Sequence, residues 1–448
     1  QVDASVIPPV ERASLDHPQI LQNARLGLVD PITFEDADYE SSLGLDFVSN
    51  PTLAFGASDF GTFFAAGASV YWSDLMGNQT LQTLLNINTS FGNILQGTAA
   101  LVGYENLSSR WNWAVIGGQV PMVLRQFGYQ TGTFQGRQAV EITELRFFEI
   151  NRQITGIVSY PFNRNSRVEF SGSARQLDFA ANIERYGTDY WTGELLYQEQ
   201  TDLPRCASTE IFFQSCAPQS LLFGTASAAL VYDSSIYGGT SPMMGQRFRL
   251  EVEPALGSLN FVTLQGDLRR YFRMKPFTLA GRALHIGRWG VDGSDGRLGR
   301  MYLGMPQLVR GYQNTSFDAR LECQSPAAQT GFFNCPVIEQ LIGSRIAVGN
   351  IELRLPLIGG IGVISAPGAP PVEIGAFYDV GKAWSTTGDP NCQGQPCSFG
   401  DRDWVSSAGL LLRANLFEFA IGEIDFVRPF GRPDKNWMWQ FSISGPGF

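Results

Sequence analysis

The last twelve residues, Trp437-Met-Trp-Gln-Phe-Ser-Ile-Ser-Gly-Pro-Gly-Phe448, put a large apolar side chain at every second position from Trp437 through Trp439 and Phe441 to Ile443. An extended chain sends successive side chains to opposite faces, so this stretch has one apolar and one more polar face. Segments of about ten residues with the same alternation recur from residue 42 onward, the signature of a barrel wall that meets lipid outside and water inside. The expected fold is all-β, a transmembrane antiparallel β-barrel. The final segment reads as its closing strand, with Phe448 as the terminal aromatic.

Composition narrows the choice. The chain has 448 residues, 12% aromatic and 17% charged, with a net charge of -10 and a mean hydropathy of -0.05. A helical span needs about 20 consecutive apolar residues. The longest uncharged candidate, Leu355 to Val372, holds four prolines and four glycines and cannot be a helix. A water-soluble β-sandwich is the competing architecture. The acidic balance argues against a nucleic-acid partner. No initiator Met or signal peptide is visible, so the N-terminus is expected to be processed or cut from something longer.

Sixteen strands are expected, at 42–49, 61–74, 79–89, 93–105, 109–120, 138–161, 167–200, 221–233, 245–254, 260–273, 276–287, 345–356, 372–384, 403–415, 417–428 and 436–445. An even number returns both chain ends to the periplasmic side. Tight turns such as Gly77-Asn-Gln79, Asn106-Leu-Ser-Ser109, Asn163-Arg-Asn-Ser166 and Met274-Lys-Pro276 fall on one side of this count. Long irregular stretches near 121–137, 201–220, 288–344 and 385–402 fall on the other, the asymmetry of short periplasmic turns and long outer loops. The stretches 234–244 and 357–371 count as periplasmic yet are not short.

The six cysteines form three local pairs, Cys206 with Cys216, Cys323 with Cys335 and Cys392 with Cys397, each inside a stretch assigned to the outer face. Three loop disulfides in an oxidising compartment are expected. Metal binding is not: the only histidines are His17 and His285, neither is near a cysteine, and His285 reads as an ordinary strand residue. Residues 1–40, rich in proline and charge, read as a periplasmic linker or the end of an upstream domain, with the barrel at 41–448. No phosphate loop, Ser/His/Asp set or carboxylate pair stands out. Neither an enzyme nor a cofactor is expected.

The 288–344 stretch is too long to be idle, since structureless loops beyond about 12–15 residues are usually functional. Near its middle lies Val309-Arg-Gly-Tyr312, followed by Asn350-Ile-Glu-Leu-Arg-Leu-Pro356, by Ala376-Phe-Tyr-Asp-Val-Gly-Lys-Ala-Trp384 with its FxDxG-type pattern ending on Gly381, and by the closing strand. In that order these pieces resemble the Omp85 superfamily, which includes the barrel-assembly insertase and the two-partner secretion transporters. The resemblance covers all sixteen strands and is most specific over 245–448. Phe60-Gly-Thr-Phe-Phe, Tyr71-Trp-Ser-Asp-Leu-Met-Gly77 and Arg110-Trp-Asn-Trp113 are similar to a subgroup whose barrel follows a TolB-like propeller.

The resemblance implies that the sixth outer loop folds into the lumen and that Arg310 contacts Asp379 and Glu352, with Gly311 permitting a tight backbone path, Tyr312 bracing the loop tip by packing and Val309 part of the same anchor. It implies a bacterial outer-membrane location, a periplasmic N-terminus and extracellular disulfide loops. The expected partners are outer-membrane lipids and β-barrel client proteins or envelope partners. The first strand carries Gly44 and Asp46 inside it, and the last carries Gly445-Pro446, so the seam between them is expected to be weakly hydrogen-bonded. An edge of that kind can pair with a client strand. The expected function is protein insertion or translocation; a gated solute pore and a structural scaffold are the alternatives.

Overall fold

The computed structural model describes Tyr39 and residues 41–49, 52–58, 61–88, 97–134, 136–206, 216–313, 316–317, 322, 336–359, 362–366, 368–385, 403–416, 420–432 and 435–444. The chain divides into two compact units, Gln1–Ser41 and Ser42–Phe448. All the described strands belong to the second.

Almost every described segment is extended, and each strand pairs antiparallel with its neighbours in one sheet of nineteen strands. In chain order the strands are β1 (Gly44–Val48), β2 (Thr52–Ser58), β3 (Gly61–Ser73), β4 (Gln79–Asn88), β5 (Thr98–Asn106), β6 (Asn112–Phe134), β7 (Arg137–Pro161), β8 (Ser166–Asp189), β9 (Leu195–Asp202), β10 (Leu221–Asp233), β11 (Ile236–Tyr237), β12 (Pro242–Gly257), β13 (Phe261–Met274) and β14 (Phe277–Trp289). A small separate pair, β15 (Met301–Tyr302) with β16 (Ile342–Gly343), lies within the long connection after β14. The sheet resumes with β17 (Arg345–Ile358), β18 (Val372–Trp384), β19 (Val405–Leu416), β20 (Ala420–Pro429) and β21 (Met438–Ser444).

The alternation read from the sequence separates the two faces. On β21, Trp439 is 71% exposed and Gln440 only 3%. Ile351, Leu353, Leu410, Leu412 and Ile424 are exposed on the apolar face, while Glu352, Asp379 and Asp425 are buried on the polar face. Trp437 and Trp439 both pack on Phe426, with ring centroids 4.8 and 4.7 Å away.

Within the main sheet, the strand list departs from the expected sixteen in four places. The chain does not run straight through 167–200. β8 stops at Asp189, whose Oδ1 accepts from the N–H groups of Trp191 and Thr192 at 2.9 Å, and Gly193 has φ +69°, so the chain doubles back as β9. The stretch near 121–137 is not irregular: β6 continues to Phe134 and stays in register with β7 down to the Phe134–Arg137 pair. The β5 ladder on its other edge ends at Gln119, two residues before Pro121, which has no N–H to donate. β2, rich in small residues, was not expected and continues the line of β1 along β3. β11 is a two-residue flank of β12.

β9 and β10 share β8 as a partner, β9 along Asn182–Thr188 and β10 along Ser166–Leu177. β7 and β8 carry a cluster of their own, in which Phe147, Leu177, Phe179 and Ala181 pack with Ala217, Phe223, Phe261 and Leu298. Cys206 and Cys216 are disulfide-bonded beside it, with Cα atoms 5.0 Å apart. Cys323, Cys335, Cys392, Cys397 and Phe448 lie outside the described residues.

Candidate functional site

The connection from β14 to β17 folds over the polar face of the sheet instead of leaving it. Its neck is the β15–β16 pair, tightened by a Leu303 N–H bond to the Leu341 carbonyl at 2.9 Å. Leu303, Val309, Tyr312 and Leu341 are wholly buried with Leu284, Ile346, Val348 and Ala383 of the wall. This apolar wedge carries Arg310 and Gly311 with it. A turn with the Leu308 N–H on the Met305 carbonyl, and an Asn350 Nδ2 bond to the Leu308 carbonyl at 2.8 Å, aim Arg310 into the wall.

Arg310 is 3% exposed and Asp379 is fully buried. Their contact is bidentate, Nε to Oδ2 at 2.7 Å and Nη2 to Oδ1 at 2.8 Å, and the Arg310 backbone N–H reaches the same Oδ2 at 3.2 Å. Glu352 Oε1 lies 2.8 Å from Nη2, and Glu423 Oε1 accepts from Nη1 at 3.2 Å. The guanidinium is stacked 3.5 Å from the centroid of Phe377. Gly409 leaves room for that ring, since a Cβ there would meet Phe377 Cζ at 2.8 Å. Burial opposes the charge on Arg310, but Asp379 and Glu352 outweigh it and hold its pKa above the ordinary arginine value.

Neighbouring charges extend the network. Arg413 donates to both oxygens of Glu352 at 3.0 Å and also pairs with Glu423, and Arg354 Nε donates to Glu352 at 2.7 Å. Asp425 is the exception: it is buried opposite Gln440, 4.0 Å from Arg310 Nη1, and neither carboxylate oxygen has a hydrogen-bond partner among the described residues.

Gly311 has φ +85°, a conformation costly for any residue with a Cβ. Its N–H donates to Gln440 Oε1 at 2.7 Å and its carbonyl accepts from Arg432 Nη1 at 2.8 Å. Tyr312 donates its hydroxyl to the Ser406 carbonyl at 3.0 Å and accepts from the Gly431 N–H at 2.9 Å. Gly381 lies under the loop, where Val309 occupies the space a side chain would need.

The structure therefore brings Val309, Arg310, Gly311, Tyr312, Glu352, Asp379 and Gly381 into one buried assembly. The closing-strand residues Trp437, Trp439, Phe441 and Ile443 lie apart from it on the opposite, exposed face. Gln440 lies on the polar face expected of the closing strand, whereas Arg413, Glu423, Asp425, Arg432 and Glu322 were not singled out from the sequence. For Arg413, Glu423 and Asp425 a signal existed, because each is a polar residue in the phase of its strand opposite the exposed apolar residues. Arg432 and Glu322 lie in connections and carried none.

Beneath the loop is a cavity of about 790 Å³ bounded by the loop residues Met301, Tyr302 and Met305 to Leu308, by the wall, and by Thr240 to Pro242. The stretch before β12 reaches across to the far side of the sheet. Ser241 Oγ donates to Glu373, at 2.9 and 2.8 Å from its two oxygens, and Asn415 Nδ2 donates to the Gly239 carbonyl at 2.8 Å. Loop and turn thus bound the cavity from two sides, and its lining mixes apolar side chains such as Met305 and Leu308 with charged ones such as Arg282 and Glu423.

Residues 126–445 match the family model described as the Omp85 superfamily domain. Among solved structures, the chain is similar to the crystal structure of BamA from Haemophilus ducreyi lacking POTRA domains 1–3, with a TM-score of 0.53 and 12% identity over 90% of this chain and 71% of that one. It is also similar to CdiB from Acinetobacter baumannii (TM-score 0.43, 11% identity, 90% of this chain and 65% of that one). CdiB from Escherichia coli is a further match (TM-score 0.42, 11% identity, 91% and 63%). The chain thus spans under two thirds of the length of either CdiB. No curated protein matches the sequence. At such identity the likeness to BamA is one of fold, a BamA-like barrel.

Proposed function

The chain belongs to the Omp85 superfamily, and from that premise we propose that it is a bacterial outer-membrane protein that inserts or translocates other β-rich proteins at the edge between its first and last strands. Counting β1 with β2 and β9 with β10 as interrupted single staves, and β11 as a flank of β12, gives sixteen positions, an even number that suits a closed barrel. In this reading the apolar face meets lipid, the polar face lines the lumen, the short turns and residues 1–40 are periplasmic, and the disulfide-bearing loops are extracellular. The role needs no bond-making chemistry.

The observation that carries the proposal is the asymmetry of the two end strands. β1 is exposed at every residue, with Leu45 and Phe47 each at 60%, and its register on β3 slips between those two positions. β21 is seven residues long and ladders to β20. An open strand edge in lipid leaves backbone donors and acceptors unmet, and a client strand satisfies them. The loop filling the polar face argues against a freely open solute pore. A scaffold role draws support from β6, β7 and β8, which at 23, 25 and 24 residues exceed the ~9–11 needed to cross a bilayer and would stand clear of it as a partner surface.

Cysteine pairs introduced along 44–48 and 438–444 of the full-length protein test the proposal in proteoliposomes, with insertion of a small outer-membrane barrel as the probe. A cross-linked seam should abolish insertion, and reduction should restore it. Insertion at full rate through a cross-linked seam would overturn the proposal.

A further inference from the structure

Resting on the reading that the β1/β21 edge is where clients act, we propose that Arg432 is a positioning residue that latches the closing strand to the lumenal loop, so that the edge is freed when the loop leaves its seat. Arg432 sits in the connection between β20 and β21, yet its side chain is wholly buried and most of its partners belong to the long loop. Nε and Nη2 form a bidentate pair with Glu322 at 2.8 and 2.7 Å. Nη1 donates to the Gly311 carbonyl and to Ser316 Oγ, and Nη2 to the Ser316 carbonyl, all at 2.8 Å. The five N–H groups of a guanidinium are matched by five oxygen contacts. Its face lies 3.9 Å from the centroid of Phe317.

The same hairpin holds the other end of the Gly311 unit, because Gln440 on β21 accepts the Gly311 N–H at 2.7 Å. Both backbone polar groups of the residue next to Arg310 are therefore committed to the last hairpin. On its inward side β21 is held by the Gly311 bond to Gln440 and by Met438, which packs against Phe377, Leu411 and Val427 and whose sulfur is 3.8 Å from Arg432 Nη1. Unseating Arg310 carries Gly311 with it and removes the Gly311 and Arg432 contacts together. A lysine could not replace the arginine, since three donors on one nitrogen cannot serve five acceptors set around a plane.

Amide hydrogen exchange on the full-length protein in lipid nanodiscs tests the latch. Arg432→Gln should speed exchange over 438–444 by about tenfold or more, while β12 to β14 keep their native rates. Glu322→Gln, which keeps the shape of the site and the Gly311 bond, should give a smaller increase confined to the same strand, and it serves if Arg432→Gln does not fold. Unchanged exchange in β21, or an equal rise in every strand, would overturn the latch. A native insertion rate together with unchanged β21 exchange would remove the latch alone. Faster β21 exchange in a protein whose wild type inserts nothing would instead leave the latch standing and remove the proposed function.

Discussion

Val309 packs so closely on Gly381 that a Cβ at position 381 would come within 2.7 Å of Val309 Cγ2, and within 3.2 Å of Leu303 Cδ2. The glycine that ends the Phe377-Tyr-Asp379-Val-Gly381 pattern is thus the floor on which the loop rests. Gly381→Val should cost about 1–3 kcal/mol by overpacking. The barrel should still form, with the loop lifted and single-channel conductance raised. Native conductance in a folded Gly381→Val protein would show that the loop does not depend on this contact.

Arg310→Ala should leave a folded, heat-modifiable barrel whose loop is displaced and whose insertion activity is lost. Removing one partner of a buried ion pair strands the other, at about 3–5 kcal/mol. Asp379→Ala should give the same phenotype. Because the two act through one bidentate contact, the double mutant should be little worse than either single one. Additive losses in stability would separate their roles.

Asp425→Asn should behave in the opposite way to Asp379→Asn. Asp425 is a buried carboxylate without a hydrogen-bond partner among the described residues, so neutralising it removes a desolvation cost. Denaturant unfolding should find Asp425→Asn at least as stable as the wild type. A loss above ~2 kcal/mol would mean that its charge supports Arg310 despite the 4.0 Å separation.

Phe441→Arg should cost ~2–4 kcal/mol if Phe441 faces the bilayer near its midplane, and Ser442→Arg much less. Phe441 is 59% exposed on the apolar face, and Ser442 is half-buried on the other. Equal penalties, measured by folding into vesicles, would place β21 in a different environment.

Mass mapping of the unreduced protein should recover Cys206 linked to Cys216, the pair bonded in the structure. It should also find Cys323 linked to Cys335 and Cys392 linked to Cys397. A link between Cys323 and Cys392, or a free thiol at either, would break the pattern of one local clasp per loop.

What the sequence determined by itself is what depends on neighbours along one strand. Period-two alternation decides that Trp439 and Gln440 face opposite ways wherever the strand ends up. The glycine and the aspartate of Phe377-Tyr-Asp379-Val-Gly381 share a face for the same reason. Where strands begin and end was less legible. The same alternation suits a strand inside the membrane and one beyond it, so β6 ran on to Phe134, and the reversal after Asp189 depended on a carboxylate turning back onto two backbone N–H groups. Only the tertiary structure decided the company of Arg310 and Arg432. Arg310 meets Asp379 across 69 residues and Glu423 across 113, and Arg432 meets Glu322 across 110. Those meetings come from the registers of β17 to β21 and from the path of a loop pinned by an apolar wedge. Both arise from packing among distant segments, which local alternation does not encode.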